Sequence, residues 1–305
     1  MISAGFDRRV TGGVTGQMTQ KIIALVDSSI YSASVCEHAA WLASRSAVAV
    51  ALVHVMAPQN GSVDPDHPGA VRLGARSALQ QELAALDAQR AELVAQRGAA
   101  VLADARHLLE RAGVVVVTTT LHQGHLINAV AAQDNDAAMI VIGKRSETAD
   151  QATGHFGSNI ERILRATSTP VLVAARKFTP IAKVLVAFDG GLSASAAIDH
   201  IARNPLYAGL AVDVISVGTA SPEVKGGLAA ARARLAAAGI TAETGVIPGA
   251  PETALIKLVN DANFDLVVMG AYGPSRLASR IIGATATALI HGCKASVMLI
   301  RPGDD

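Results

Sequence analysis

Lys21-Ile-Ile-Ala-Leu-Val-Asp27 recurs in the chain as Lys183-Val-Leu-Val-Ala-Phe-Asp189. In both places a run of aliphatic residues ends on an acid, then comes Ser or Gly, then a stretch of small residues with helical character. The recurrence continues in order. Met139-Ile-Val-Ile-Gly143 matches Leu266-Val-Val-Met-Gly270, Gly157-Ser158 matches Gly283-Ala284, and Pro170-Val-Leu-Val-Ala174 matches Ser296-Val-Met-Leu-Ile300. A duplicated α/β unit follows, so chemistry carried by one half is expected in the other or has been lost from it.

The strands are near-continuous apolar runs, as in Val48-Ala-Val-Ala-Leu-Val-His-Val55 and Val114-Val-Val-Val-Thr-Thr-Thr120, and they alternate with Ala-rich helical stretches. Runs without a polar face belong to strands covered by helices on both sides, hence to a parallel sheet. Strands are expected near 21–27, 48–55, 113–121, 138–143 and 170–175, and again near 182–189, 211–217, 240–247, 265–271 and 296–301. Each half then has five strands and four helices. The simplest order is 3-2-1-4-5, a flavodoxin-like sheet, with a leader at 1–20, domains at 21–177 and 181–302, and Phe178-Thr-Pro-Ile181 as the joint. An apolar edge strand ending each repeat would be an exposed template for pairing, so 170–175 and 296–301 are expected at the contact between halves, an intrachain pseudo-dimer.

The halves differ in length at one place. Val55 to Gly124 spans 69 positions and Val217 to Gly249 spans 32, so the first domain carries an insertion at 57–112. It holds a Pro/Asp/His loop at 64–68 and a helical tract at 70–112, which reads as a longer covering helix or, alternatively, as a lid or partner-docking arm.

Composition narrows the function. A length of 305 residues suits two domains, and 26 Lys and Arg against 25 Asp and Glu leave a net charge of +1. That balance gives no electrostatic footprint for nucleic acid or an anionic membrane. The apolar runs are far short of the ~20 residues that span a bilayer, and no signal-peptide pattern opens the chain, so a cytoplasmic protein is expected. Cys36 and Cys293 sit among apolar residues and read as free buried thiols.

In a sheet of order 3-2-1-4-5, ligands bind where strands one and four diverge, outside their carboxyl ends. Asp27 and Asp189 end the first strands; Gly143 and Gly270 end the fourth. In the second half, Gly270-Ala-Tyr-Gly273 is followed after nine residues by Gly283-Ala284-Thr285 at a helix start. Glycines let backbone N–H groups approach phosphate, and a helix N-terminus adds oriented donors. The acid beside them suits ribose hydroxyls or an adenine amino group. The first half reads Gly143-Lys-Arg-Ser146, then ten residues, then Gly157-Ser158, with Ser for the second glycine and a gap one longer. No Walker pattern and no GxGxxG after the first strand is present.

These features together resemble the universal stress protein family, in two tandem copies from about residue 20. The resemblance implies ATP or AMP binding, pairing of domains through the fifth strands, and a role in stress adaptation. Carried onto this chain, it implies a favoured site at Asp189, Gly270, Gly273, Gly283, Ala284 and Thr285. A degenerate one is implied at Asp27, Gly143, Ser146, Gly157 and Ser158.

Other readings stay open. Lys144 and Arg145 supply charge to a phosphate or are solvated surface charges. His54, His122 and His125 gather near strand ends but lack the further ligands of a metal set. Ser32, Ser34, Ser193 and Ser195 lie where helices begin and read as N-caps. The leading function is a nucleotide-dependent regulatory protein acting on a protein partner, with homodimerisation open. The alternatives are a slow hydrolase or phosphotransferase in which Asp27 or Asp189 holds Mg²⁺, and a ligand-free interaction module.

Overall fold

The computed structural model describes residues 20–56, 73–145, 158–272 and 282–302. The first half runs β1 (Lys21–Leu25), α1 (Ser32–Ser46), β2 (Ala49–Met56), α2 (Leu73–Arg111), β3 (Val117–Gln123), α3 (Leu126–Ala131), β4 (Ala137–Gly143), α4 (Ser158–Ala166) and β5 (Val171–Ala174). The second runs β6 (Lys183–Ala187), α5 (Leu192–Arg203), β7 (Ala211–Val217), α6 (Pro222–Ala237), β8 (Ala242–Ile247), α7 (Pro251–Asp261), β9 (Leu266–Gly270), α8 (Ala284–Gly292) and β10 (Ser296–Ile300). Each half has the expected order 3-2-1-4-5, and the two join into one ten-stranded sheet, β3-β2-β1-β4-β5-β10-β9-β6-β7-β8. Within the halves every strand pair is parallel.

The join is antiparallel. Val171 faces Leu299, Leu172 faces Met298 and Val173 faces Val297. Leu172 and Met298 are the same position of the repeat, so the register places a pseudo-twofold axis between them. It turns two edge strands into interior ones, as the edge argument requires.

Alternation along the strands divides the core by face. Ile22, Ala24, Val184 and Val186 pack with α1, α2, α5 and α6, while Ile23, Leu25, Leu185 and Val267 pack with α3, α4, α7 and α8. Both faces run across the join. The period-2 pattern is hidden in β1, β4, β6 and β9 because both faces are apolar and buried, whereas the edge strand β3 leaves Thr118, Thr119 and Thr120 exposed, so the expected cover on both faces fails there.

The helical tract of the insertion is α2. Its C-terminal portion packs Leu102, Ala105 and Leu109 into the core, where Gly98 lets it approach His54: a Cβ there would lie 2.7 Å from Leu121 Cδ1 and 2.9 Å from the imidazole. Its earlier turns expose Leu79, Leu83, Leu86 and Leu93. The expected 64–68 loop lies outside the described residues.

Polar clasps tie the halves together in both directions. Lys144 follows the fully apolar β4 and is itself buried, and its Nζ donates to the carbonyls of Cys293 (2.6 Å) and Ala295 (3.0 Å) beyond the end of α8. Conversely Tyr272 and Arg301 donate to Leu164 O (both 2.9 Å) at the end of α4, and Arg301 also to Thr167 O. Cations at helix C-termini complement the terminal carbonyls. Both readings given for Lys144 from sequence fail for one reason: it serves neither phosphate nor solvent but the other half of the chain. Burial pulls its ammonium down to about 8.

His38 completes the join. Its Nδ1 donates to Ser34 O (2.7 Å) and its Nε2 accepts from Ser296 Oγ (2.7 Å), which in turn accepts from Ala175 N–H (3.0 Å). Burial pulls its pKa down to about 4, so the ring is neutral. The equivalent His200 has a buried Nε2 with no hydrogen-bond partner, because the repeat position of Ser296 is held by Pro170. Cys36 and Cys293 are free and buried, and burial pushes their thiols up to about 12 and about 11.

Candidate functional site

β6 and β9 are neighbours, with Ala187 facing Met269, so Asp189 and Gly270 stand at adjacent strand ends where the chain leaves in opposite directions. Gly270 is there for packing. A Cβ on it would lie 2.4 Å from Ser193 Cβ and 2.8 Å from the Ser193 backbone, so the strand end and the first turn of α5 touch directly. Gly143 has the same duty against Tyr31, at 2.6 Å from its Cβ. The glycine that opens each loop therefore has a structural cause independent of any ligand.

Asp189 folds back on its own turn. Gly191 N–H donates to its Oδ1 (2.8 Å), and Gly190 takes φ +77°, a conformation glycine allows without strain. The turn opens into a cleft of about 470 Å³ between α5 and α6, over the carboxyl ends of β6 and β7. Phe188, Ile198 and Val224 form its apolar wall; Asp189, Ser195, Ser216, Glu223 and Arg234 supply polar groups. Arg234 is held at 2.5 Å by Asp199. A cavity of this size with a few convergent polar groups has the dimensions and chemistry of a small-molecule site.

The glycine loop closes near this crevice but spends part of its donor set. Gly283 caps α8 with φ −65°, and its N–H donates to Ala271 O (3.0 Å). Thr287 donates to Gly283 O through both its N–H and its hydroxyl. Ala284 and Thr285 form the first turn of α8, and the Thr285 hydroxyl donates to Glu252 Oε1 (3.2 Å). Of the expected backbone donors, those of 284 and 285 sit at the open helix end and that of Gly283 does not. Gly273 lies outside the described residues.

The first half differs at equivalent positions. Asp27 Oδ1 accepts from Ser29 N–H (2.9 Å), and its N–H donates to Ser32 Oγ (2.9 Å), whose hydroxyl turns back to the Asp27 carbonyl. Ser32 is matched by Ala194, so the second acid has no such tether. Where the second half has Ser216 in its cleft, the first has His54, buried, with Nδ1 donating to Val26 O (2.8 Å). Gly143 ends β4, Ser158 opens α4, and Ser146 and Gly157 lie outside the described residues.

The serines read as N-caps do other work. Tyr31 and Gly191 are the cap residues, and neither caps through a side chain. Ser34 donates to Ala175 O across the join (2.7 Å), Ser193 Oγ is buried without a partner, and Ser195 lines the cleft. Among the described residues no three His, Cys, Asp or Glu side chains converge to hold a metal ion, and no helix is long and apolar enough to cross a membrane.

Sequence reasoning missed Ser216, Glu223, Arg234 and Glu252. The cleft residues come from two helices and a strand whose meeting no local motif announces. Glu252 carried one faint signal, an acid in the first turn of a helix after Gly249-Ala-Pro251.

Both halves match the model of the universal stress protein family, at residues 18–175 and 180–301. The chain is 31% identical over 286 residues to a universal stress protein of Synechocystis sp., covering 92% of this chain and 100% of that one. Among solved structures it is similar to a universal stress protein from Archaeoglobus fulgidus (TM-score 0.68, 18% identity, 94% of this chain and 100% of that one). It is also similar to a putative universal stress protein from Pseudomonas aeruginosa (TM-score 0.58, 17% identity, 94% and 95%).

Proposed function

The chain belongs to the universal stress protein family, and we propose that it is a regulatory protein whose second half binds an adenine nucleotide, ATP or AMP. The observation that carries this reading is the cleft of about 470 Å³ beside Asp189. Its apolar wall suits a purine, and Asp189 and Glu223 suit the hydroxyl and amino donors of adenosine. The open first turn of α8, reached across the β6–β9 crevice, is the place for phosphate. Asp189, Gly270, Gly273, Gly283, Ala284 and Thr285 are thus one candidate set, and the first-half set of Asp27, Gly143, Ser146, Gly157 and Ser158 is the weaker one. The reading needs no bond broken: occupancy alters the surface around α5, α6 and the glycine loop, and a protein partner responds to it.

Mass spectrometry of small molecules released from the purified, denatured protein tests this first. An adenine nucleotide near one equivalent per chain, lost in Asp189→Ala, supports the reading. No co-purified nucleotide, together with no calorimetric binding of ATP, AMP or adenosine, removes it.

A further inference from the structure

The expected phosphate position in the second half already faces a negative charge of the protein's own. Glu252 Oε1 accepts the Thr285 hydroxyl at 3.2 Å, in the first turn of α8. The carboxylate is held there by the way its helix lies. α7 and α8 run side by side in the same direction, and Asn260 ties their far ends, donating to Gly292 O (3.1 Å) and accepting from Lys294 N–H (3.0 Å). Gly292 permits close approach along the pair, since a Cβ on it would lie 2.6 Å from Ile256 Cδ1. Glu252 therefore cannot leave the N-terminus of α8 without its helix separating from α8 or its side chain abandoning Thr285.

A carboxylate at a helix N-terminus satisfies the partial positive charge that a phosphate would otherwise use. Placing a phosphate beside it adds like-charge repulsion to the loss of the Thr285 donor. The same position after β3 of the first half is Ile127, which carries no charge, so this is a feature of one half and not of the repeat.

Building on the adenine-nucleotide reading of the cleft, we propose that Glu252 sets the ligand class of the second-half site. It admits adenosine or its monophosphate and disfavours ATP, by repelling ligands in proportion to the phosphate charge they bring to the α8 N-terminus. Specificity of this kind comes from a built-in repulsive element as much as from attraction.

Calorimetric titration of the full chain and of Glu252→Gln with adenosine, AMP and ATP tests the proposal. Gln keeps the shape and an acceptor for Thr285 while removing the charge. The expected result is graded: adenosine affinity changes by less than about 2-fold, AMP tightens several-fold, and ATP tightens by ~10-fold or more. The gain should shrink at high salt. An equal shift for all three ligands would mean a structural role and overturn the proposal, as would an ATP affinity that does not move while adenosine binds. Glu252→Ile, which copies the first half, must tighten ATP in the same direction or the proposal fails. If no ligand of the three binds either protein, the adenine reading of the cleft is itself wrong and this proposal falls with it.

Discussion

The two halves share order, register and even the duty of their first loop glycine, yet they treat the same crevice differently. In the first, Asp27 is tethered by Ser29 and Ser32, and His54 stands at the repeat position of Ser216. In the second, Ala194 and Ser216 stand at those places, Asp189 keeps a single backbone donor, and a cavity of about 470 Å³ opens beside it. The smaller side chains at these two positions accompany the cleft of the second half. The halves also invest differently in their join: His38 is hydrogen-bonded on both ring nitrogens, whereas Nε2 of its repeat partner His200 is buried and bare.

Substitutions at equivalent positions probe this contrast. The largest effect is expected from Gly270→Ala, whose Cβ meets the backbone of Ser193 at 2.8 Å, so a helix must shift. Urea denaturation should show a loss of about 3 kcal/mol or more. Gly143→Ala, whose Cβ has the Tyr31 side chain nearest (Cβ at 2.6 Å) and the Arg145 carbonyl at 3.3 Å, should cost less.

Acid should act next. His38 and His200 are pulled from 6.5 to about 4 by burial, so between those limits the unfolded chain binds protons that the folded one refuses. Stability is then complete above about pH 6.5 and lost as pH falls toward 4, by an amount on the order of 3 kcal/mol per imidazole. A denaturation midpoint that stays flat from pH 7 to 4.5 would contradict the buried, neutral assignment.

Lys144→Met leaves the carbonyls of Cys293 and Ala295 without their donor and should cost about 2 kcal/mol, again by urea denaturation. A neutral outcome would mean that the clasp contributes nothing to the join. The smallest effect separates the histidines. His38→Leu loses two hydrogen bonds and should destabilise by about 1–2 kcal/mol, whereas His200→Leu removes an unpaired buried nitrogen and should be neutral or stabilising.

Much of the fold is legible in the chain itself. The repeat fixed the strand order, and the apolar ends of both repeats pointed to the β5–β10 join because an exposed edge strand is a liability. Lys144 was misread because a charge next to a glycine loop suggests anion binding, and only the folded join shows the carbonyls of Cys293 and Ala295 waiting for it. The helix-start serines were misread for a similar reason: Ser34 finds a partner 141 positions away, across the join. The cleft was invisible because Ser216, Gly227 and Arg234 are unremarkable residues until α6 lies over β7. Among the lining residues Asp189 was singled out as a ligand group, by its place at a strand end, and Ser195 only as a helix cap.

On the proposed reading the second half, and not the first, holds the nucleotide in the cleft beside Ser216. Titration of AMP into the wild type and into Ser216→His, which installs the first half's imidazole in the second half's cleft, decides the matter. Close to one equivalent bound per chain is expected, with loss of that binding in a folded Ser216→His protein. Two equal sites in the wild type, or undiminished binding after the substitution, would contradict it.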